Sequence, residues 1–160
     1  LEQWRQIYTT AGAYQAWQTH GAWITATQPR FAPAIAARWH AASQVSAQQA
    51  GAANAAALVI RQRVQRLIGA DTIAIVPSAA SIAPLRSAAS DEIDAIRMRT
   101  LRICCIAGLG GLPQVSLPLR DAQGIPCGVS LIGPPGSDLA LIRYATALWT
   151  QCCTLLVHSR

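Results

Sequence analysis

Three histidines, five cysteines, seven carboxylates and a complete lack of lysine set what this 160-residue chain could assemble as a reactive centre. His20, His40 and His158 have neither metal-ligand spacing nor neighbouring carboxylates, and read as surface or internally satisfied histidines. Two cysteine pairs are adjacent, Cys104-Cys105 and Cys152-Cys153, and Cys127 stands alone. Neighbouring cysteines rarely bridge, the count is odd, and no C-x-x-C spacing exists. Reduced, buried thiols in a cytosolic protein are therefore expected, with no zinc and no other metal. Asp91, Glu92 and Asp94 look like a carboxylate cluster, but they open a helix, where acids complement the positive end of the dipole. Gly108-Leu-Gly110-Gly111 fails as a dinucleotide loop, because Pro113 occupies the last glycine position and a helix, not a strand, precedes it. Gly128-Val-Ser130-Leu-Ile132 starts like a nucleophile elbow and lacks its closing glycine. Ser78 and Ser81 have no base within sequence reach, so neither is expected to act as a nucleophile by itself. No catalytic residue is assigned.

The elements that would position any site follow from periodicity. Leu1 to about Trp23 is helical but irregular, and Pro29 and Pro33 mark a connection. Helices are expected from about Ala34 to Ala42 and from about Ser43 to Ile68, the latter with Ala53, Ala57, Ile60, Val64 and Leu67 on one face. Gly69 should stop it. Asp71 to Val76 is a short, continuous apolar run suited to a strand covered on both faces, followed by an irregular loop from Ser78 to Ala89. Ser90 should cap a helix that carries Ile93, Ile96, Thr100, Ile103 and Ala107 along one side. After the turn at Gly108–Gly111, Gln114–Leu119 and Cys127–Ile132 flank a Gly-containing turn and predict a β-hairpin. Ser137 should cap a last helix with Leu141, Ile142, Ala145, Leu148 and Trp149 inward.

The net charge of +6 comes from 13 dispersed arginines. Arg61, Arg63 and Arg66, and then Arg97, Arg99 and Arg102, form loose groups on helices and read as solvated faces or intersubunit salt bridges. Without interleaved aromatics or a binding motif, nucleic acid is not an expected partner. No run approaches the roughly 20 apolar residues of a membrane span, and no signal-peptide layout opens the chain. The pattern begins mid-helix at Leu1 and the single methionine is Met98, so a natural start is expected to lie elsewhere.

The order of segments in the last 90 residues is the specific signal. Ile73-Ala-Ile-Val-Pro77, Ala83-Pro84, a helix, Ala107-Gly-Leu-Gly-Gly-Leu-Pro-Gln-Val-Ser-Leu-Pro118, Ile125-Pro-Cys-Gly-Val-Ser-Leu-Ile-Gly-Pro134 and Asp138-Leu-Ala-Leu141 follow one another. This succession resembles the C-terminal part of the amidase-signature hydrolases, and the Gln-Val-Ser-Leu-Pro form resembles bacterial amidases related to indole-acetamide hydrolase. The resemblance covers about Asp71 to Trp149, and a helical segment like residues 1–68 is compatible with it. It implies an α/β fold with a mixed twisted β-sheet flanked by helices, of which this chain supplies the C-terminal part of a single domain.

It also implies cofactor-free hydrolysis of a small-molecule amide by a serine, a second serine on a cis peptide bond, and a lysine base. In the family all three, with the Gly-Gly-Ser-Ser oxyanion loop, precede the region matched here, and this chain contains neither a lysine nor a Gly-Ser-Ser run. The expected partner is thus the N-terminal remainder of the same enzyme, and the chain alone is expected to be inactive. Gly108 stands near the family's usual asparagine and Ser130 where many members have glutamine. Loops at strand ends are where α/β scaffolds meet ligands, so Ser78, Ser81 and Ile82 on one loop and Ile106, Gly108 and Gly110 on another are the substrate-binding candidates. The competing reading is a noncatalytic amidase-like scaffold or interaction protein. An uncovered Asp71–Val76 flank predicts that the isolated chain oligomerises or is poorly soluble.

Overall fold

The computed structural model describes residues 1–158, and side chains through Cys152. Its chain forms two compact units, Leu1–Ile60 and Arg61–Arg160.

In the first unit, α1 (Glu2–Thr27) and α2 (Pro33–Ser43) are joined by a short connection. Gln28 ends α1 in the left-handed region at φ 43°, and its N–H reaches the Ile24 carbonyl. Pro33 suits the first turn of α2, where a missing N–H costs nothing. Trp39 of α2 meets Trp17, His20 and Phe31 at ring-centroid distances of 6.5, 5.9 and 6.3 Å. A reciprocal capping box opens α3 (Ala47–Ile68): Gln49 N–H donates to Ser46 Oγ at 3.2 Å, and Ser46 N–H donates to Gln49 Oε1 at 2.9 Å. That box moves the helix start four residues past Ser43.

In the second unit, Ile68 and Val64 of α3 are buried, whereas Leu67 is 73% exposed. The apolar face ends on Ile68, contrary to the sequence expectation. Gly69 takes φ 62° and residues 69–71 turn, so β1 starts at Ala74 and ends at Pro77. Then come α4 (Ser90–Gly110), β2 (Gln114–Arg120), β3 (Pro126–Ile132) and α5 (Asp138–His158). The sheet order is β1-β3-β2, antiparallel throughout, with Ala74 opposite Ile132 and Gln114 opposite the same residue from the other side. Helices and this small sheet make the α/β fold that the sequence implied; the three strands present are antiparallel, and no parallel pair of the expected mixed sheet occurs among the described residues.

Direct cross-strand partners share a face. Val115, Leu117 and Leu119 therefore lie with Leu131, and α5 covers them with Leu141 and Ala145; Leu148 and Trp149 pack at the margin. Ile142 is half exposed and turns away from this core. The other face carries Ser116, Ser130, Ile132 and Val76. Ser78 N–H donates to the Gly128 carbonyl at 2.9 Å, so Gly128, Ser130 and Ile132 direct their backbone groups toward β1. By the same alternation Ile75 points its N–H and C=O outward from β1, and Pro118 points outward from β2. Proline there withholds a donor that an outer strand would need. Ile75 is 68% exposed, so within this chain β1 is an edge strand covered on one side only, not the doubly covered strand expected from its composition.

Two caps also differ from expectation. Ala89, not Ser90, precedes α4, and no side chain caps it; Asp91 and Glu92 occupy the first turn as predicted. Ser137 accepts the first helical bond of α5 from Leu141 N–H at 2.8 Å, but its hydroxyl donates backward to the Pro134 carbonyl at 2.7 Å.

Candidate functional site

Pro77 ends β1 and releases the chain into the Ser78–Pro84 loop. Residues 77 and 79–84, Ile96 of α4 and residues 126–128 of β3 line an open groove of about 470 Å³. Ser81 and Ile82 line it, and Ile82 is half exposed. Ser78 sits at its edge, packed so closely on Gly128 that a β-carbon there would lie 2.6 Å from both Ser78 Cβ and Oγ.

A row of hydroxyls fixes this loop. Ser130 Oγ lies 2.7 Å from Ser78 Oγ and 2.8 Å from Ser116 Oγ, and Ser130 is completely buried. Thr100 Oγ1 accepts from Ala80 N–H at 3.2 Å, and the Cys104 thiol donates to the Ser78 carbonyl at 3.4 Å. Burial pushes the Cys104 thiol above its ordinary pKa, so it stays a neutral donor and not a thiolate nucleophile. None of Ser78's partners is a base. Among the described residues the Ser78 hydroxyl bonds only another alcohol, while the Gly128 carbonyl and the Cys104 thiol bond its backbone N–H and C=O, so nothing activates it for attack on a carbonyl. What the arrangement can do is present a shaped, mostly apolar wall with a few fixed polar groups.

The other three candidates lie elsewhere. Ile106, Gly108 and Gly110 belong to the last turns of α4, which runs through Gly110 and not only to Ala107. None of them lines the groove. The last four carbonyls of a helix need outside partners, and here each has one. Leu112 N–H reaches Ala107 O at 3.0 Å and Gly111 N–H reaches Gly108 O at 3.3 Å, a Schellman ending. Arg61 Nε donates to Leu109 O at 3.3 Å, and Gln65 Nε2 to Gly110 O at 2.8 Å. Gly111 adopts φ 61°, where glycine is at ease. Gly110 is buried beneath Leu112 and Val64.

The sequence reading missed Ser116, Thr100 and Cys104 as partners of the loop. One signal was available: Ser116 and Ser130 are equidistant from Gln123 in the hairpin turn, so a regular register pairs them. The Ser78 contact and the approach of α4 are tertiary and left no such mark. Among the described residues no group of histidines, cysteines and carboxylates could hold a metal, and no buried side-chain nitrogen or oxygen lacks a partner. The four cysteines with described side chains are reduced thiols.

No family model matches the chain. Among curated proteins it is 29% identical over 129 residues to Amidase 1 of Arabidopsis thaliana, covering 81% of this chain and 30% of that protein. It is 26% identical over 132 residues to Translocon at the outer membrane of chloroplasts 64 of Pisum sativum, covering 82% of this chain and 22% of that one. A crystal structure described as an amidase superposes with a TM-score of 0.73 at 20% identity, over 92% of this chain and 34% of the other. The chain is thus an amidase-signature relative at modest identity, spanning less than a third of the curated relatives it matches. Among the described residues no helix is long and apolar enough to cross a membrane.

Proposed function

We propose that this amidase-signature relative is the C-terminal portion of an enzyme that hydrolyses the carbon–nitrogen bond of a small carboxamide, the bond-cutting groups coming from polypeptide outside these residues. One observation carries the reading: nearly all of the chain superposes on about a third of an amidase, while the sequence lacks any lysine. Amide cleavage needs an activated nucleophile and preorganised donors for the oxyanion, and the hydroxyls of Ser78, Ser116 and Ser130 have no base among their partners.

In this reading the N-terminal remainder of the enzyme extends the sheet at the free edge of β1, where Ile75 offers both backbone groups and a bare side chain. Ser78, Ser81 and Ile82 contribute a wall of the substrate cleft. Ile106, Gly108 and Gly110 support it from the end of α4. Reduced thiols favour a cytosolic setting.

The test is a graft. This chain replaces the matching third of Arabidopsis Amidase 1, and ammonia release is followed on a panel of primary carboxamides, including arylacetamides. The expected result is hydrolysis by the chimera and none by the 160-residue chain alone. Turnover by the chain alone would overturn the assignment of the catalytic groups. A folded chimera that hydrolyses nothing would instead support the noncatalytic scaffold.

A further inference from the structure

We infer that Ser130 is the positioning residue of the groove: a fully buried hydroxyl that clamps Ser78, and with it residues 78–84, onto strand β3. A hydroxyl excluded from water is costly unless it is bonded. Ser130 has one proton to give and lone pairs to accept with, and Ser78 Oγ and Ser116 Oγ lie at 2.7 and 2.8 Å, so both of its neighbours are within hydrogen-bond reach. If the loop lifts away, Ser130 loses the Ser78 partner that it holds in the closed, buried state. Docking of the loop is thereby tied to the integrity of the sheet interior.

The loop has little else to hold it. Most of residues 79–87 are exposed, Leu85 at 77%. Among the described residues its remaining hydrogen bonds to other elements are the Ser78 N–H bond to Gly128 O, the Ala80 N–H bond to Thr100, and a weak thiol bond from Cys104. None of these ends in a side chain as deeply buried as Ser130. Gly128 completes the device, because any β-carbon there would displace Ser78 from its bond. The clamp contains only neutral hydroxyls, so it holds the groove in one shape without adding charge to it. This inference concerns the loop itself and stands apart from the amidase reading.

The test uses the full chain and two local readouts: hydrogen exchange of the Ala80 amide, and iodoacetamide labelling of Cys104 resolved by peptide mass spectrometry. Ser130→Ala, Ser78→Ala and Gly128→Ala should each accelerate both by about tenfold, the change that one buried hydrogen bond of ordinary worth makes. Ser116→Ala, which leaves the Ser78 bond intact, should leave both within twofold of the parent chain. Amides of Leu117 and Leu131 should keep their parent rates in Ser78→Ala and Gly128→Ala, which keeps the test valid if Ser130→Ala loses overall stability. Parent-like loop readouts in Ser78→Ala and Gly128→Ala would overturn the inference. So would loop and sheet amides accelerating together, since that is the signature of general core packing.

Discussion

Replacing Ile75 by lysine tests the exposed flank of β1 directly. Ile75 is 68% exposed and directs its N–H and C=O away from β3, so two copies can pair antiparallel about this residue with two reciprocal backbone bonds. Fully burying an isoleucine side chain is worth about 1.5–3 kcal/mol, and two-thirds of that remains to be gained here, about 1–2 kcal/mol per copy. In a symmetric pair both copies contribute, about 2–4 kcal/mol together, or roughly a 30- to 700-fold change in dissociation constant. Lysine removes this term and sets two like charges across the axis, as natural edge strands do to avoid pairing. Sedimentation velocity over a concentration series is the assay. The parent chain should self-associate, and Ile75→Lys should move the midpoint by at least the lower figure. Leu119→Lys on β2 is a poor comparison because Leu119 packs against the core; Arg120→Glu, beside the outward Pro118, is the better control and should leave the midpoint unchanged. A parent chain that is monomeric at all concentrations, or equal association in Ile75→Lys, would refute the reasoning.

Two neighbouring glycines should respond to alanine with opposite signs. Gly111→Ala meets the left-handed conformation at about 1–2 kcal/mol, offset by about 0.4–1 kcal/mol from a stiffer unfolded chain, and should lower the urea midpoint. Gly108→Ala, exposed within α4, should raise stability by roughly 0.5–1 kcal/mol; equal signs would contradict the Schellman ending. The raised Cys104 pKa gives a pH dependence: above the ordinary thiol pKa, about 8.5, the unfolded chain releases a proton that the native chain keeps, so stability falls as pH rises. The fall in Tm between pH 7 and pH 10 should be smaller in Cys104→Ala than in the parent, and an equal fall would remove Cys104 as its cause.

Much of the fold was legible in the sequence because local rules dictated it. Alternating residues around Asp121–Gly124 specify the hairpin and, through its register, the Ser116–Ser130 pair. The glycine at 69 and the acids at 91 and 92 mark helix ends by conformational freedom and by charge. The resemblance to amidases was likewise carried by the order of short motifs, and the similarity to curated amidases bears it out. Other features depended on what surrounds a residue. Composition could not distinguish a doubly covered strand from an apolar edge strand, since Ile75 has the same chemistry in both; only its neighbours decide. Leu67 and Ile68 differ by one position, 100° around a helix, and tertiary packing chose between them. Ser78 and Ser130 are 52 positions apart, and no periodicity links them. Sequence set the local elements because hydrogen bonding and backbone freedom act over a few residues; the loop clamp and the groove arose only when long-range contacts brought those elements together.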